Sequence, residues 1–274
     1  MEIRKKLYTL KIISILNKKG DGLMYAVKPT IKAMGDSAVI IKFSESINLK
    51  AHLVIKVLSE YLDKRPFAGM IEYVPAFTTM TIFYNPLEVM RKNPHDNKDI
   101  PFDVVKKKIE DILCNLGSNI EDKPRIVEIP VCYGGEFGPD LKFVAEYNNL
   151  TIEEVIDIHS SCENRVYMIG FAPGFPYLAG MSKKIASPRR KTPRLAIPAG
   201  SVGIAGNQTG VYPISTPGGW QLIGRTPLQL FRPEDNIPSL LRAGDIVKFK
   251  AISRAEYYEI QEAQCRKEGK LKWA

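Results

Sequence analysis

The pattern of hydrophobic and polar positions in the first half of the chain switches between the period of strands and that of helices. Alternating and β-branched runs predict strands, whereas apolar residues at helical spacing predict one buried stripe per helix. Gly35 supplies the backbone freedom needed at a Gly-Asp-Ser turn between the first two strands. In chain order we predict two strands within 28–43 and a helix at 48–62. Two further strands are predicted at 70–76 and 77–84, and a second helix at 102–116. This order is typical of a small α+β domain.

The second half of the chain has a different texture. A strand is predicted at 126–133, followed by a glycine-rich turn and a helical region at 140–162. Within that region, Thr151 and Glu154 match a capping box at a helix start. After residue 165, short β-type runs stand between dense Gly and Pro residues, which is typical of an all-β sheet or barrel. Residues 254–268 are charged and helix-like. The pattern therefore predicts an α+β domain followed by a β-rich one.

The domain boundary is predicted near residue 125. A length of 274 residues suits about two domains. The first residues look detached, because Gly20, Asp21 and Gly22 break the local pattern. We predict an N-terminal extension, an α+β domain, a barrel domain and a C-terminal helical tail, over 1–27, 28–125, 126–253 and 254–274.

The composition is that of an ordinary globular protein, with 45% hydrophobic and 25% charged residues. No apolar run reaches the ~20 residues of a membrane helix, so no membrane partner is expected. The basic start before a short apolar patch resembles a signal peptide, but no small-residue cleavage site follows. The four cysteines form no C-x-x-C pair, which favours isolated thiols in a reducing compartment. We therefore expect a cytoplasmic protein.

The net charge of +9 is unevenly distributed. One basic cluster lies in residues 1–23, and a second, at 183–194, contains no acidic residue. Such a segment binds an anionic ligand or an acidic protein surface, or is simply solvated, and the sequence leaves these alternatives open. No nucleic-acid motif accompanies it, so binding of DNA or RNA is not expected.

Glycine is concentrated in one part of the chain. Seven of the 20 glycines lie between Gly200 and Gly224. Glycine is used where the backbone dihedral φ is positive or where another group approaches closely. The cluster therefore indicates either a tightly shaped binding surface or a barrel with many tight corners.

Three motifs carry a family resemblance: IPVCYGGEFGPDL at 129–141, RVYMIGFAPGFPYLAGM at 165–181 and PRLAIPAGSVGIAGNQTGVYPISTPGGWQLIGRTP at 193–227. They resemble the allophanate hydrolase subunit 1 family over about residues 28–253. The resemblance implies an α+β fold, with a small ferredoxin-like N-terminal domain and a cyclophilin-like β-barrel domain. Residues 1–23 depart from the family pattern.

Enzyme members of that family are components of ATP-dependent 5-oxoprolinase. The resemblance thus implies hydrolysis of 5-oxo-L-proline to L-glutamate, together with partner subunits A and C. No G-x-x-x-x-G-K-[ST] loop is present, so we expect a partner subunit or a shared interface to bind ATP. Two alternatives stay open. One is a Kip-type inhibitor that binds a sporulation histidine kinase, and the other is a module of an allophanate or urea pathway hydrolase, which the lack of a biotin-attachment signature weakens.

Three residues are catalytic candidates from their chemistry and motif position. His159 is suited to proton transfer near neutral pH, or else is a helix-end histidine bonded to backbone. Arg194 forms paired bonds to carboxylate or phosphate, or else a structural salt bridge. Gln221 offers the donor and acceptor that a lactam amide needs. No metal is predicted, because His159 and Cys162 alone do not make a zinc site.

Four further residues are candidates for substrate binding. Arg165 and Arg225 offer the same guanidinium fork as Arg194, with structural ion pairing as the alternative. Gln208 has the donor and acceptor needed to hydrogen-bond a lactam amide, but it also fits an ordinary turn position. Trp220 follows two glycines and is predicted to line a pocket or anchor a partner, with core packing as the alternative.

Overall fold

The computed structural model describes residues 29–94, 96, 98–116 and 124–271. Contacts divide the chain between Lys123 and Pro124 into two compact units. The predicted N-terminal extension, 1–27, lies outside the described residues.

The described part of the first unit contains four strands and three helices. In chain order these are β1 (Thr30–Ala33), β2 (Ala38–Lys42), α1 (Leu49–Lys64), β3 (Met70–Pro75), β4 (Thr79–Tyr84), α2 (Pro86–Lys92) and α3 (Pro101–Asn115). The strands form one antiparallel sheet in the order β1-β2-β4-β3. The α+β class is confirmed. The ferredoxin-like prediction is not confirmed, because in that β-α-β-β-α-β order the fourth strand follows the last helix.

Helix α2 shows where the hydrophobic pattern was insufficient. Asn85 caps it by accepting from the Glu88 backbone N–H at 3.1 Å, and Pro86 occupies the first turn. Of its seven residues only Val89 is buried, so no apolar stripe marks the helix in the sequence. The hydrophobic pattern predicted no helix between 84 and 102, so α2, which ends at Lys92, was missed.

The described part of the second unit contains nine strands and three α-helices. They are β5 (Ile126–Tyr133), α4 (Leu141–Tyr147), α5 (Ile152–Ser161), β6 (Glu163–Ile169), β7 (Pro176–Ala179), β8 (Arg194–Ile197), β9 (Ser201–Ala205), β10 (Gln208–Val211), β11 (Thr216–Gly218), β12 (Gln221–Arg225), β13 (Ile246–Ala251) and α6 (Arg254–Leu271).

Seven of these strands form one sheet in the order β10-β9-β12-β5-β13-β6-β7. Its two edge strands, β10 and β7, lie beside each other, so the sheet is nearly closed and barrel-like. Strands β5 and β13 pair in parallel, and the other neighbours are antiparallel. Strands β8 and β11 form a separate two-stranded ribbon. The predicted barrel-like architecture is confirmed, and the finer cyclophilin-like assignment stays a prediction.

The helical region predicted at 140–162 consists of two helices. Asn149 adopts a positive φ of 55°, which ends α4. Thr151 and Glu154 then form a capping box that starts α5. The C-terminal helix α6 packs on the barrel through Tyr257, whose ring lies 4.6 Å from that of Phe137. Within the described ranges, no helix has both the length and the apolar run for crossing a membrane.

Candidate functional site

The candidate site lies on the second unit, where the β8–β11 ribbon joins the basic segment 183–194. Two hydrogen bonds attach this segment to the residues that precede and begin β12. The Arg190 backbone N–H donates to the Gly219 carbonyl oxygen at 2.7 Å. Gln221 Nε2 donates to the Pro188 carbonyl oxygen at 2.9 Å. The basic segment is therefore held against the start of β12.

Asp140 is the residue around which the site is built. It ends a glycine-rich turn that packs directly on β12, since a Cβ atom at Gly138 would lie 2.0 Å from the Ile223 carbonyl oxygen. The Asp140 backbone N–H donates to the Leu222 carbonyl oxygen at 2.9 Å, and the Leu222 backbone N–H donates to Asp140 Oδ2 at 2.7 Å. The main chain of β12 thus fixes the orientation of a buried carboxylate.

Two arginines converge on the other oxygen of that carboxylate. Arg190 Nη1 donates to Asp140 Oδ1 at 3.0 Å, and Arg194 Nη2 donates to the same atom at 2.8 Å. One carboxylate serves two guanidinium groups, so the cluster keeps an excess positive charge. Arg190 Nε and Arg194 Nη1 are buried without a hydrogen-bond partner among the described residues, as is Thr216 Oγ1 on the neighbouring strand β11. Because buried donors are normally paired, the cluster is incomplete.

An aromatic cluster packs beside the ribbon. Phe175, Tyr212 and Trp220 meet edge to face, with ring centroids 5.6, 5.9 and 6.2 Å apart. Burial raises the pKa of Tyr212 to about 12, although nearby arginines act to lower it. Trp220 is 8% exposed, which is the position expected for core packing. Its role in binding stays a prediction.

His159 lies in the barrel interior and is fully buried. Its Nδ1 is 2.7 Å from the Tyr133 hydroxyl oxygen, its Nε2 is 2.8 Å from Thr209 Oγ1, and its ring stacks on Phe249. Burial lowers the pKa of His159 to about 3, so the ring is neutral near pH 7. Both nitrogens bond side-chain hydroxyls rather than the backbone that the structural alternative named, and catalysis by His159 stays a prediction. No group of His, Cys, Asp and Glu side chains in the described ranges is arranged to hold a metal ion.

The remaining predicted residues have other contacts. Arg165 Nη1 donates to the Gly244 carbonyl oxygen at 3.3 Å. The Arg225 guanidinium lies 5.8 Å from the centre of the Phe137 ring. Gln208 begins β10 and is half-buried. The proposed substrate contacts of these three residues stay predictions.

Among the predicted catalytic residues, the structure brings Arg194 and Gln221 to the cluster. Sequence reasoning missed Asp140 and Arg190, although both lie in patterns that it identified. Asp140 falls in the motif at 129–141, and Arg190 falls in the acid-free basic segment. A partly buried basic segment without acids needs a counter-charge from elsewhere in the fold. That requirement was the available signal.

Comparison with known proteins decides the family. The model of the carboxyltransferase domain, subdomain C and D, matches residues 29–241. The chain belongs to this family. This carboxyltransferase family member is 57% identical over 236 residues to the B subunit of 5-oxoprolinase from Bacillus subtilis (strain 168), covering 86% of this chain and 98% of that protein. It is 40% identical over 216 residues to the 5-oxoprolinase B subunit of Escherichia coli O157:H7, covering 79% and 93% of the two chains. The predicted resemblance to such proteins is confirmed.

Solved structures share the fold of this carboxyltransferase family member. The crystal structure of TTHA0988 matches with a TM-score of 0.67 at 32% identity, over 82% of this chain and 40% of that longer chain. The Kluyveromyces lactis urea carboxylase matches with a TM-score of 0.67 at 19% identity, over 89% of this chain and 23% of the other. The second likeness shows the fold alone.

Proposed function

We infer that this chain is the B subunit of an ATP-dependent 5-oxoprolinase, which hydrolyses 5-oxo-L-proline to L-glutamate with companion subunits A and C. The observation that carries this proposal is the 57% identity to the corresponding Bacillus subtilis 5-oxoprolinase chain over 98% of that protein. A match over nearly the whole relative, rather than over one shared module, supports an equivalent role in a complex.

The chemistry explains why ATP and several chains are needed. An unstrained amide lacks a good leaving group, and phosphorylation of the amide oxygen makes the carbon electrophilic enough for water to attack. Such a reaction needs cationic groups at the phosphoryl group and at the developing negative charge. The chain has no nucleotide-binding loop, so we assign ATP to a companion subunit or to a shared interface.

Within this chain we assign the site to the cluster around Asp140, which includes Arg190, Arg194 and Gln221. A positively charged group of partly buried side chains beside an aromatic cluster is suited to an anionic small molecule. The companion subunits then supply the groups that this chain lacks, and the chain alone is inactive. The cytoplasmic location, the kinase-inhibitor alternative and the urea-pathway alternative stay predictions.

The test is reconstitution from purified chains. The three subunits are mixed with 5-oxo-L-proline and ATP, and glutamate release is measured with and without this chain. We expect glutamate release only from the complete mixture, and co-elution of this chain with its companions. Undiminished release without this chain would contradict the proposal. The Arg242→Ala variant, which alters an exposed arginine outside the Asp140 cluster, is the matched control and is expected to retain activity.

A further inference from the structure

Two arginines share the single negative charge of Asp140, so a second anion would balance the cluster. We propose that Arg190 and Arg194 form a binding site for a small oxyanion, either a carboxylate or a phosphoryl group. The existence of the site follows from the cluster itself. The source of the oxyanion rests on the proposed function, in which 5-oxoproline supplies a carboxylate and ATP supplies phosphoryl groups.

The first support is the way in which the two arginines share Asp140. Each guanidinium gives Asp140 one hydrogen bond, and both bonds end on Oδ1. The other oxygen, Oδ2, already accepts from the Leu222 backbone N–H. Arginine binds carboxylate and phosphate best through two parallel bonds. Asp140 orients both arginines but completes the fork of neither, so each keeps donors for another acceptor.

The second support is the set of unpaired donors. Arg190 Nε, Arg194 Nη1 and Thr216 Oγ1 are buried and lack partners in the described part of the chain. Thr216 lies on β11, which pairs with β8, and is opposite Ile197, three residues after Arg194. An oxyanion has several acceptor lone pairs, so a single ion bridges donors from both arginines. A neutral ligand of the same size leaves the excess charge in place.

The third support is the environment of the cluster. The side chains of Arg190 and Arg194 are 36% and 23% exposed, so part of each side chain contacts solvent beside the buried Arg190 Nε and Arg194 Nη1 donors. Arg189 and Arg194 both act electrostatically on the Tyr212 hydroxyl, which places further positive charge beside the aromatic cluster. The buried aromatic rings lower the local dielectric constant and strengthen attraction to an anion.

The test is a calorimetric titration of the full-length chain with three probes. These are 5-oxo-L-proline, its uncharged carboxamide, and inorganic phosphate. We expect at least one of the two anions to bind, and the carboxamide to bind at least about tenfold more weakly than 5-oxo-L-proline if the carboxylate is recognised. Binding of 5-oxo-L-proline identifies the carboxylate as the source, whereas binding of phosphate alone identifies a phosphoryl group.

Variants connect the binding to the cluster. Arg190→Ala and Arg194→Ala are each expected to weaken anion binding by about tenfold or more, since each removes a charge-assisted donor. Arg190→Lys and Arg194→Lys keep the charge but lose the fork, so they fall between Ala and wild type. The lysine variants also keep the test decisive if an alanine variant does not fold. Arg242→Ala is expected to bind like wild type.

Two results overturn the inference: neither anion binds the wild-type chain, or an anion binds with an affinity that the Arg190 and Arg194 variants leave unchanged. These results are separate from the reconstitution assay. A chain that binds no anion yet restores glutamate release refutes the oxyanion site and keeps the role in the 5-oxoprolinase complex. A chain that binds the anion but restores no glutamate release keeps the oxyanion site and refutes the role in the 5-oxoprolinase complex.

Discussion

Two buried aspartates in the second unit show how one residue type serves opposite purposes. Asp245 is 5% exposed and Asp140 is 6% exposed, and both pair with arginine. Arg125 Nε donates to Asp245 Oδ1 at 3.1 Å, Arg125 Nη2 donates to Oδ2, and a backbone N–H, that of Arg242, also donates to Oδ2 at 2.8 Å. One acid meets one base, and both carboxylate oxygens are used.

The Asp140 cluster lacks that balance. One carboxylate faces two arginines, and buried donors stay unpaired within the described residues. The pKa of Arg125 is raised by its hydrogen bond to Asp245, as expected for a closed pair. Buried ion pairs by themselves are weak indicators of function. The comparison indicates that unpaired buried donors, rather than burial or charge alone, distinguish a candidate binding site from an ion pair that only stabilises the fold.

The largest effect is expected from breaking the closed pair. Asp245→Ala should lower the free energy of unfolding by about 3 kcal/mol, because the Arg242 backbone N–H loses its acceptor and Arg125 keeps only the Leu240 carbonyl oxygen. Chemical denaturation measures the change. The control is Asp235→Ala, which removes an exposed ion pair with Arg232 and should cost less than about 1 kcal/mol. Equal losses in the two variants would contradict the contrast between closed and exposed pairs.

A smaller effect is expected at the open cluster. Asp140→Asn should lower the free energy of unfolding by about 2 kcal/mol, because the two arginines then repel without a counter-charge. Added phosphate should restore part of this stability in Asp140→Asn but not in Asp245→Ala, since only the former presents two adjacent guanidinium groups. Thermal unfolding with and without phosphate measures the difference. Equal restoration in both variants would show a general salt effect.

His159 extends the comparison to pH. The folded protein keeps the ring neutral, with a pKa of about 3, while the unfolded chain takes up a proton near the ordinary value of 6.5. The contribution of neutral His159 to the free energy of unfolding is therefore fully present above about pH 6.5. It declines as the pH falls toward 3, by at most about 1.4 kcal/mol per pH unit. We expect denaturation curves of His159→Gln to show a weaker loss between pH 7 and pH 5 than wild type. If wild type and His159→Gln lost stability equally between pH 7 and pH 5, the result would argue against a buried, neutral His159 ring.

The smallest effect concerns backbone strain near the aromatic cluster. Phe171 is 70% exposed and has a positive φ of 68°, a region that bulky residues rarely adopt. Phe171→Gly and Phe171→Ala both remove the ring contact with Phe175, but only Gly relieves the strain. The Gly variant should be more stable than the Ala variant by about 1 kcal/mol. Equal unfolding free energies would show that the loop carries no such strain.

Much of the fold was predictable from local patterns. The helices α1 and α3 and the strands of the first unit followed from the period of their apolar positions. The density of short β runs with Gly and Pro indicated an all-β sheet or barrel, and the family resemblance selected the barrel. Helix α2 was missed because a short helix with one buried side chain leaves no periodic signal. The Thr151–Glu154 capping box marked the start of α5 in the sequence, whereas the end of α4 depends on Asn149 in a conformation that sequence periodicity does not report.

The sequence alone determined the family motifs, the alternation of elements and the presence of an acid-free basic segment, because these are local properties of the chain. Only the tertiary structure decided which charges meet. Asp140 lies 50 residues before Arg190 and 54 before Arg194, and Arg125 lies 120 before Asp245. Such pairings depend on sheet order and register, as does the burial of His159. Sheet order and register are set when the barrel closes. The counter-charge of each arginine is therefore a property of the fold rather than of its neighbours in sequence.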